Sequence, residues 1–144
     1  MTRRVWRGML LLFGLPVLAL LVAMAVGAFL PEAHEVTSRA RYGVPPDSLW
    51  ADVSDPGRAA AWRPDLERVE RLPDRDGRAA WREVGPTGAL TYERVEFEPP
   101  RRQVVRIAEP DLPFSGEWTY EIAPAEGGAA LTLTERGEIH NPLY

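Results

Sequence analysis

The chain has no cysteine among its 144 residues, which excludes a disulfide framework, a thiolate metal site and a cysteine nucleophile. It has no lysine either: all 17 basic residues are arginine, so Schiff-base chemistry and a phosphate-loop lysine are excluded. Only two histidines occur, His34 and His140, far apart in the chain, and neither has a nucleophile or carboxylate at fixed spacing. Both read as solvated side chains, and neither a metal nor a cofactor is expected. No glycine-rich phosphate loop and no Ser-His-Asp arrangement is present. Positive charge is scarce beyond residue 30, where 14 arginines meet 21 acids for a net of −7, against −4 for the whole chain. Such an acidic body repels phosphates, so nucleic acid is excluded as a partner. What remains is ordinary for one globular domain: 45% hydrophobic, 26% charged and 9% aromatic residues.

The N-terminal stretch is a separate object. Arg3, Arg4 and Arg7 precede an uncharged run, residues 8–30, that opens at Gly8 and closes at Leu30. As a helix its 23 residues would extend about 34 Å, enough to cross a hydrocarbon core. Pro16 is tolerable inside a membrane helix. The competing reading is a cleaved signal peptide ending near Ala23-Met24-Ala25; against it, the apolar run continues through Val26, Ala28, Phe29 and Leu30. A retained single-pass anchor is therefore expected. The arginines place the N-terminus in the cytoplasm and the remainder, a domain over 34–144, outside it.

Beyond the junction Pro31-Glu32-Ala33, residues 36–42 alternate as a half-buried strand. Pro45-Pro46-Asp47 then opens a helix, with Leu49, Trp50 and Val53 on one face, that Asp55-Pro56-Gly57 breaks. A second helical turn, 58–62, stops before Pro64. Six further strands are predicted at 66–72, 78–84, 89–98, 103–108, 114–123 and 129–138, separated by turn signals. The pattern predicts an α+β domain: a seven-stranded antiparallel sheet with two short helices after strand 1. Alternation assigns faces. Phe114, Gly116, Trp118, Tyr120 and Ile122 share one, as do Leu131 and Leu133, and Val105 and Ile107. Trp81 shares a face with Glu83, and Thr91 and Glu93 share one with Val95 and Phe97.

Several strings in this order carry a resemblance. The run Val44-Pro45-Pro46-Asp47-Ser48-Leu49-Trp50 with Asp55-Pro56, then Trp62-Arg63-Pro64-Asp65-Leu66, then Glu98-Pro99-Pro100-Arg101-Arg102, Gly116-Glu117-Trp118-Thr119-Tyr120 and Leu131-Thr132-Leu133-Thr134-Glu135, is similar to the SRPBCC superfamily of helix-grip domains. That superfamily includes the START, birch-pollen-allergen and polyketide cyclase/dehydrase families. The resemblance covers about residues 35–143. It implies a curved seven-stranded sheet gripping a long C-terminal helix, with a cavity for lipids, sterols or polyketides between them; a minority of members catalyse cyclisation or dehydration. Here the chain reaches Asn141-Pro142-Leu143-Tyr144 where that helix would begin. A missing helix would uncover on the order of 600 Å² of apolar sheet, about 15 kcal/mol as an upper bound. The expectation is a C-terminally truncated domain, a fragment of a longer product, with a protein partner or the membrane as the alternative cover.

On this layout the candidate cavity lining is Trp81, Val95, Phe97, Val105, Ile107, Trp118, Tyr120, Ile122, Leu131 and Leu133. Trp50 and Trp62 read as core anchors. Glu83 and Glu93 are the candidate interior carboxylates, where burial would raise a carboxyl's pKa for acid–base work; no residue is assigned a catalytic role. The expected function is a membrane-tethered, non-catalytic module that binds a hydrophobic small molecule or lipid. The alternatives are an enzyme of the cyclase/dehydratase type and an interaction module whose open sheet docks a protein.

Overall fold

The computed structural model describes residues 33–140; the apolar run 8–30 lies outside them. The order is β1 (Ala33–Tyr42), α1 (Pro46–Ser54), a 3₁₀ turn (Pro56–Arg58), α2 (Ala59–Trp62), β2 (Arg68–Arg75), β3 (Arg78–Gly85), β4 (Gly88–Glu98), β5 (Arg102–Ile107), β6 (Phe114–Ala125) and β7 (Gly128–Ile139). The strands form one antiparallel sheet in the order β1-β7-β6-β5-β4-β3-β2, the predicted seven strands with two short helices after the first. Among the described residues no helix is long and apolar enough to cross a membrane.

Local chemistry sets the boundaries. Pro46 occupies the first helical turn of α1 with Asp47 beside it, where a missing N–H costs nothing and an acid meets the positive end of the helix dipole. Asp55 ends the helix in an extended conformation, and its side chain accepts from the Gly57 N–H at 2.9 Å, an Asx-type turn that starts the next element. The β2–β3 turn is only Asp76-Gly77, both at positive φ, the conformation a two-residue hairpin needs. Strand β2 therefore runs on through Pro73 and Asp74, which the sequence reading gave to the turn. Proline is tolerated there because β2 is an edge strand with no ladder partner on its outer side.

The core lies where α1 crosses β6 and β7. Leu49 and Trp50 pack on Ile122 and Ala129, with Val53 and Leu131 against the same cluster. Ala129 is fully buried; its small side chain lets the helix approach the sheet. We call this the inner face. On the outer face Glu93, Arg106, Glu117, Arg136 and Glu35 stand opposite one another across five strands. They alternate in sign, with Arg106 on Glu93 at 2.6 Å and Arg136 on Glu35 at 2.6 Å. Favourable cross-strand pairs of this kind keep a sheet face stable in water without a covering layer.

One irregularity decides which side chains look inward. Arg94 is opposite Val105, but Glu96 is opposite Val104, so Val95 is the extra residue of a β-bulge. A bulge shifts alternation by one position. Upstream of it Tyr92 and Arg94 face inward, and Thr91 and Glu93 face outward; downstream Phe97, opposite Gln103, faces inward. The expected grouping of Thr91, Glu93, Val95 and Phe97 on one face is thereby corrected.

Candidate functional site

A cleft of about 330 Å³ opens on the inner face. Its floor is Val105, Trp118, Tyr120 and Leu133 from β5, β6 and β7. Trp81, Tyr92 and Arg94 from β3 and β4 make one wall, and the segment from Val53 to Arg63 makes the roof. The walls are flat rings: Trp81 and Tyr92 lie 6.2 Å apart and 18° from parallel, and Trp118 meets Tyr92 edge-on at 5.8 Å. Both are favourable aromatic geometries. Trp118 folds back over Gly116, where an added Cβ would meet its ring at 2.6 Å. Glycine there permits the ring to lie along the sheet.

One carboxylate sits in this apolar setting. Glu83 is 8% exposed and both its oxygens are engaged. Oε2 accepts from Arg63 Nη1 at 2.7 Å, and Oε1 accepts from Trp81 Nε1 at 3.1 Å. Arg63 also donates to Asp65 at 2.8 Å. Burial alone would lower the Arg63 pKa, but the hydrogen bonds and charges of Asp65 and Glu83 outweigh it and hold the guanidinium above its ordinary value. The same Arg63 hydrogen bond lowers the Asp65 pKa. Burial, with the Glu83 charge adding to it, pushes the Tyr92 phenol up to about 12, and burial raises Tyr120 as well. Both phenols remain neutral hydrogen-bond donors at any physiological pH.

A second polar group closes the other side. Arg94 donates through Nη2 to the Ser54 carbonyl at the end of α1, and its guanidinium lies over the Phe97 ring, 4.2 Å from the centroid, with Trp81 at 5.9 Å. Burial foremost, with the Arg71 charge adding to it, lowers its pKa. Gln103, 2% exposed, donates to the Val53 carbonyl at 3.1 Å. Arg94 Nε and Gln103 Oε1 are both buried without a hydrogen-bond partner among the described residues, a cost the folded chain carries at the cleft lining.

The candidate lining residues divide. Trp81, Val105, Trp118, Tyr120 and Leu133 come together in the cleft, as does Glu83. Ile122 and Leu131 belong to the core with α1 instead. Phe97 packs at a tilt against Trp50, 5.5 Å between ring centroids, and remains 48% exposed. Ile107 lies near the Gly116 backbone, outside the cleft lining, and Val95 sits at the bulge. Glu93 is not an interior carboxylate: it is 7% exposed on the outer face, buried beneath Arg106 and Arg78. Sequence reasoning missed Arg63, Tyr92, Arg94 and Gln103. Arg63 lies within a quoted motif, and Tyr92 and Arg94 go unnoticed because Thr91 and Glu93 are grouped with Val95 and Phe97 and nothing in Thr91-Tyr92-Glu93-Arg94 announces a bulge at the next residue.

The family model described as polyketide cyclase / dehydrase and lipid transport matches residues 33–143. Among curated proteins none matches the sequence. Solved structures share the fold. The Zhui aromatase/cyclase from Streptomyces sp. R1128 is 23% identical, with a TM-score of 0.62 over 76% of this chain and 70% of that one. Norcoclaurine synthase from Thalictrum flavum is 12% identical, with a TM-score of 0.59 over 75% and 70%. The di-domain ARO/CYC StfQ from the steffimycin biosynthetic pathway is 13% identical, with a TM-score of 0.61 over 74% of this chain. The chain spans only 37% of StfQ's length. With a helix-grip sheet, two short helices after its first strand and a family match over most of its length, the chain belongs to the polyketide cyclase/dehydrase and lipid transport family.

Proposed function

We propose that the protein is a membrane-tethered, extracytoplasmic module that binds a hydrophobic small molecule or lipid in the inner cleft without transforming it. The observation that carries this is the state of Glu83. It is the one carboxylate among the described residues that lines the cleft, and Arg63 and Trp81 occupy both its oxygens. A carboxylate held that way is a structural anion rather than a free general base. The aromatic walls then supply affinity through burial, and the tether comes from the apolar run 8–30 behind three arginines.

The test is binding by the full-length chain. Apolar molecules should co-purify and be identifiable by mass spectrometry of an organic extract, and a panel of lipids and polycyclic compounds should raise the melting temperature. Trp118→Ala should weaken that shift. An empty extract together with no shift from any compound sinks the proposal. The enzymatic alternative is supported by the aromatase/cyclase named among the similar structures. It would gain if Glu83→Gln kept ligand binding but abolished conversion of a bound compound.

A further inference from the structure

The polar groups of the inner cleft divide into those already engaged and those left free. Glu83 is held by Arg63 and Trp81, while Arg94 and Gln103 donate to the Ser54 and Val53 carbonyls. Arg94 Nε and Gln103 Oε1 are unpaired but buried, closed to a ligand as the side chains stand.

The Tyr92 and Tyr120 hydroxyls are neither engaged nor sealed off. Both side chains line the cleft and are half-buried, and among the described residues neither hydroxyl has a hydrogen-bond partner. Tyr92 stands opposite Ile107 and Tyr120 opposite Gln103, so the two come from strands on either side of β5. The Arg63 and Glu83 charges act on both, and Tyr120 acts on Tyr92. From opposite sides of β5 they therefore face one region of the cleft.

What these groups require is an acceptor. A neutral phenol donates one hydrogen bond, and Trp118 on the same floor offers a donor alone. A pure hydrocarbon seated here would strip both hydroxyls of water and give nothing back, which costs affinity. Charge decides which acceptor. Arg63 and Arg94 line the cleft with Glu83, while Asp65 and Glu135 act on the phenols from beside it. The Arg71 charge near Arg94 is paired with Asp55. Two positive charges against three negative ones leave no excess to hold an anion, so the acceptor is uncharged.

We infer that the Tyr92 and Tyr120 hydroxyls form a donor subsite for a neutral carbonyl oxygen, so that the ligand of the cleft is a ketone or ester on an apolar framework rather than a hydrocarbon or a carboxylate. This rests on the binding reading above and names the polar group that the site selects.

The test compares fluorenone with fluorene, the same fused rings with and without a carbonyl. Binding to the full-length chain is measured in phosphatidylcholine nanodiscs, with protein-free discs as the blank, for the wild type and for the double variant Tyr92→Phe/Tyr120→Phe. Both substitutions keep the rings and remove only the hydroxyls. The wild type should prefer fluorenone by about threefold to tenfold, and the double variant should lose that preference while its affinity for fluorene holds. The carbonyl stretch of bound fluorenone should lie at lower wavenumber in the wild type than in the variant. A preference that survives in the double variant would overturn the subsite. So would a carbonyl stretch in the wild type at its frequency in a hydrocarbon solvent, a readout that stands even if the variant fails to fold. Equal binding of the two probes by the wild type would overturn the subsite and leave the cleft reading standing. If neither probe binds, the subsite falls and the co-purification test above decides the cleft.

Discussion

Across strands β4, β5, β6, β7 and β1, the outer face of the sheet carries the row Glu93, Arg106, Glu117, Arg136 and Glu35. One step along the same strands, the inner face carries Arg94, Val105, Trp118, Glu135 and Val36. In the first row each charge has opposite charges for neighbours. In the second, Arg94 stands between aromatic rings, with its Nε unpaired. The outer row is complete in itself and in water. The inner row sets Arg94, whose buried Nε has no partner among the described residues, and the Trp118 ring beside the aliphatic Val105. Each face buries one glutamate under arginine, but the arginines on Glu93 are about half exposed whereas Arg63 on Glu83 is 29% exposed, so loss of the carboxylate leaves the less hydrated cation on the inner face.

That contrast is tested most severely at Trp81, which is 4% exposed, stacks on Tyr92 and donates to Glu83. Trp81→Ala should cost about 3–5 kcal/mol of stability by urea unfolding. A loss below about 1 kcal/mol would mean that the inner face is loosely packed and collapses without cost.

The next comparison sets the two buried glutamates against each other. Glu83→Gln leaves Arg63, whose side chain is 29% exposed, without its carboxylate inside the cleft. A destabilisation of about 1–3 kcal/mol is expected. Glu93→Gln strips a carboxylate from between Arg78 and Arg106, whose side chains are 45% and 47% exposed; water resolvates both, and the loss should stay below about 1 kcal/mol. The reverse order would break the distinction between the faces, although the two glutamates are nearly equal in burial.

That near-equality explains how far the sequence could be read. Element order, strand number and the α1 packing stripe were legible because they depend on local periodicity: Leu49, Trp50 and Val53 can only be one helix face, and Trp118 with Tyr120 only one strand face. The hairpin turns were legible in outline, through Asp-Gly and Gly-Gly. Glu93 was not legible as an outer-face residue, because its side is set by the bulge at Val95, and a bulge is a property of pairing between β4 and β5 rather than of β4 alone. Arg63 was invisible for a similar reason. Its two carboxylate partners lie two and twenty residues away, and only the path of the chain from α2 to β2 brings Glu83 beneath it. The cleft's shape depends on contacts of this long-range kind, whereas the fold does not.

The smallest effect lies with the phenols. A free tyrosine loses its proton near pH 10, whereas Tyr92, buried beside the Glu83 carboxylate, holds its own to about 12. The folded state therefore binds this proton more tightly than the unfolded chain. The stability that comes with it is fully present below pH 10 and is lost as the pH rises from 10 toward 12. Tyr120, also raised by burial, acts in the same direction. The urea midpoint should fall across that window, and Tyr92→Phe should flatten the fall, because phenylalanine has no proton to release. In parallel, ultraviolet absorbance of the phenolates should show a late phase in the native protein that is smaller in the variant, where Tyr120 alone remains to supply it. A midpoint unchanged up to pH 12, or a late phase undiminished in Tyr92→Phe, would show that this side of the cleft is open to water. The inner face would then differ from the outer one in chemistry but not in solvation.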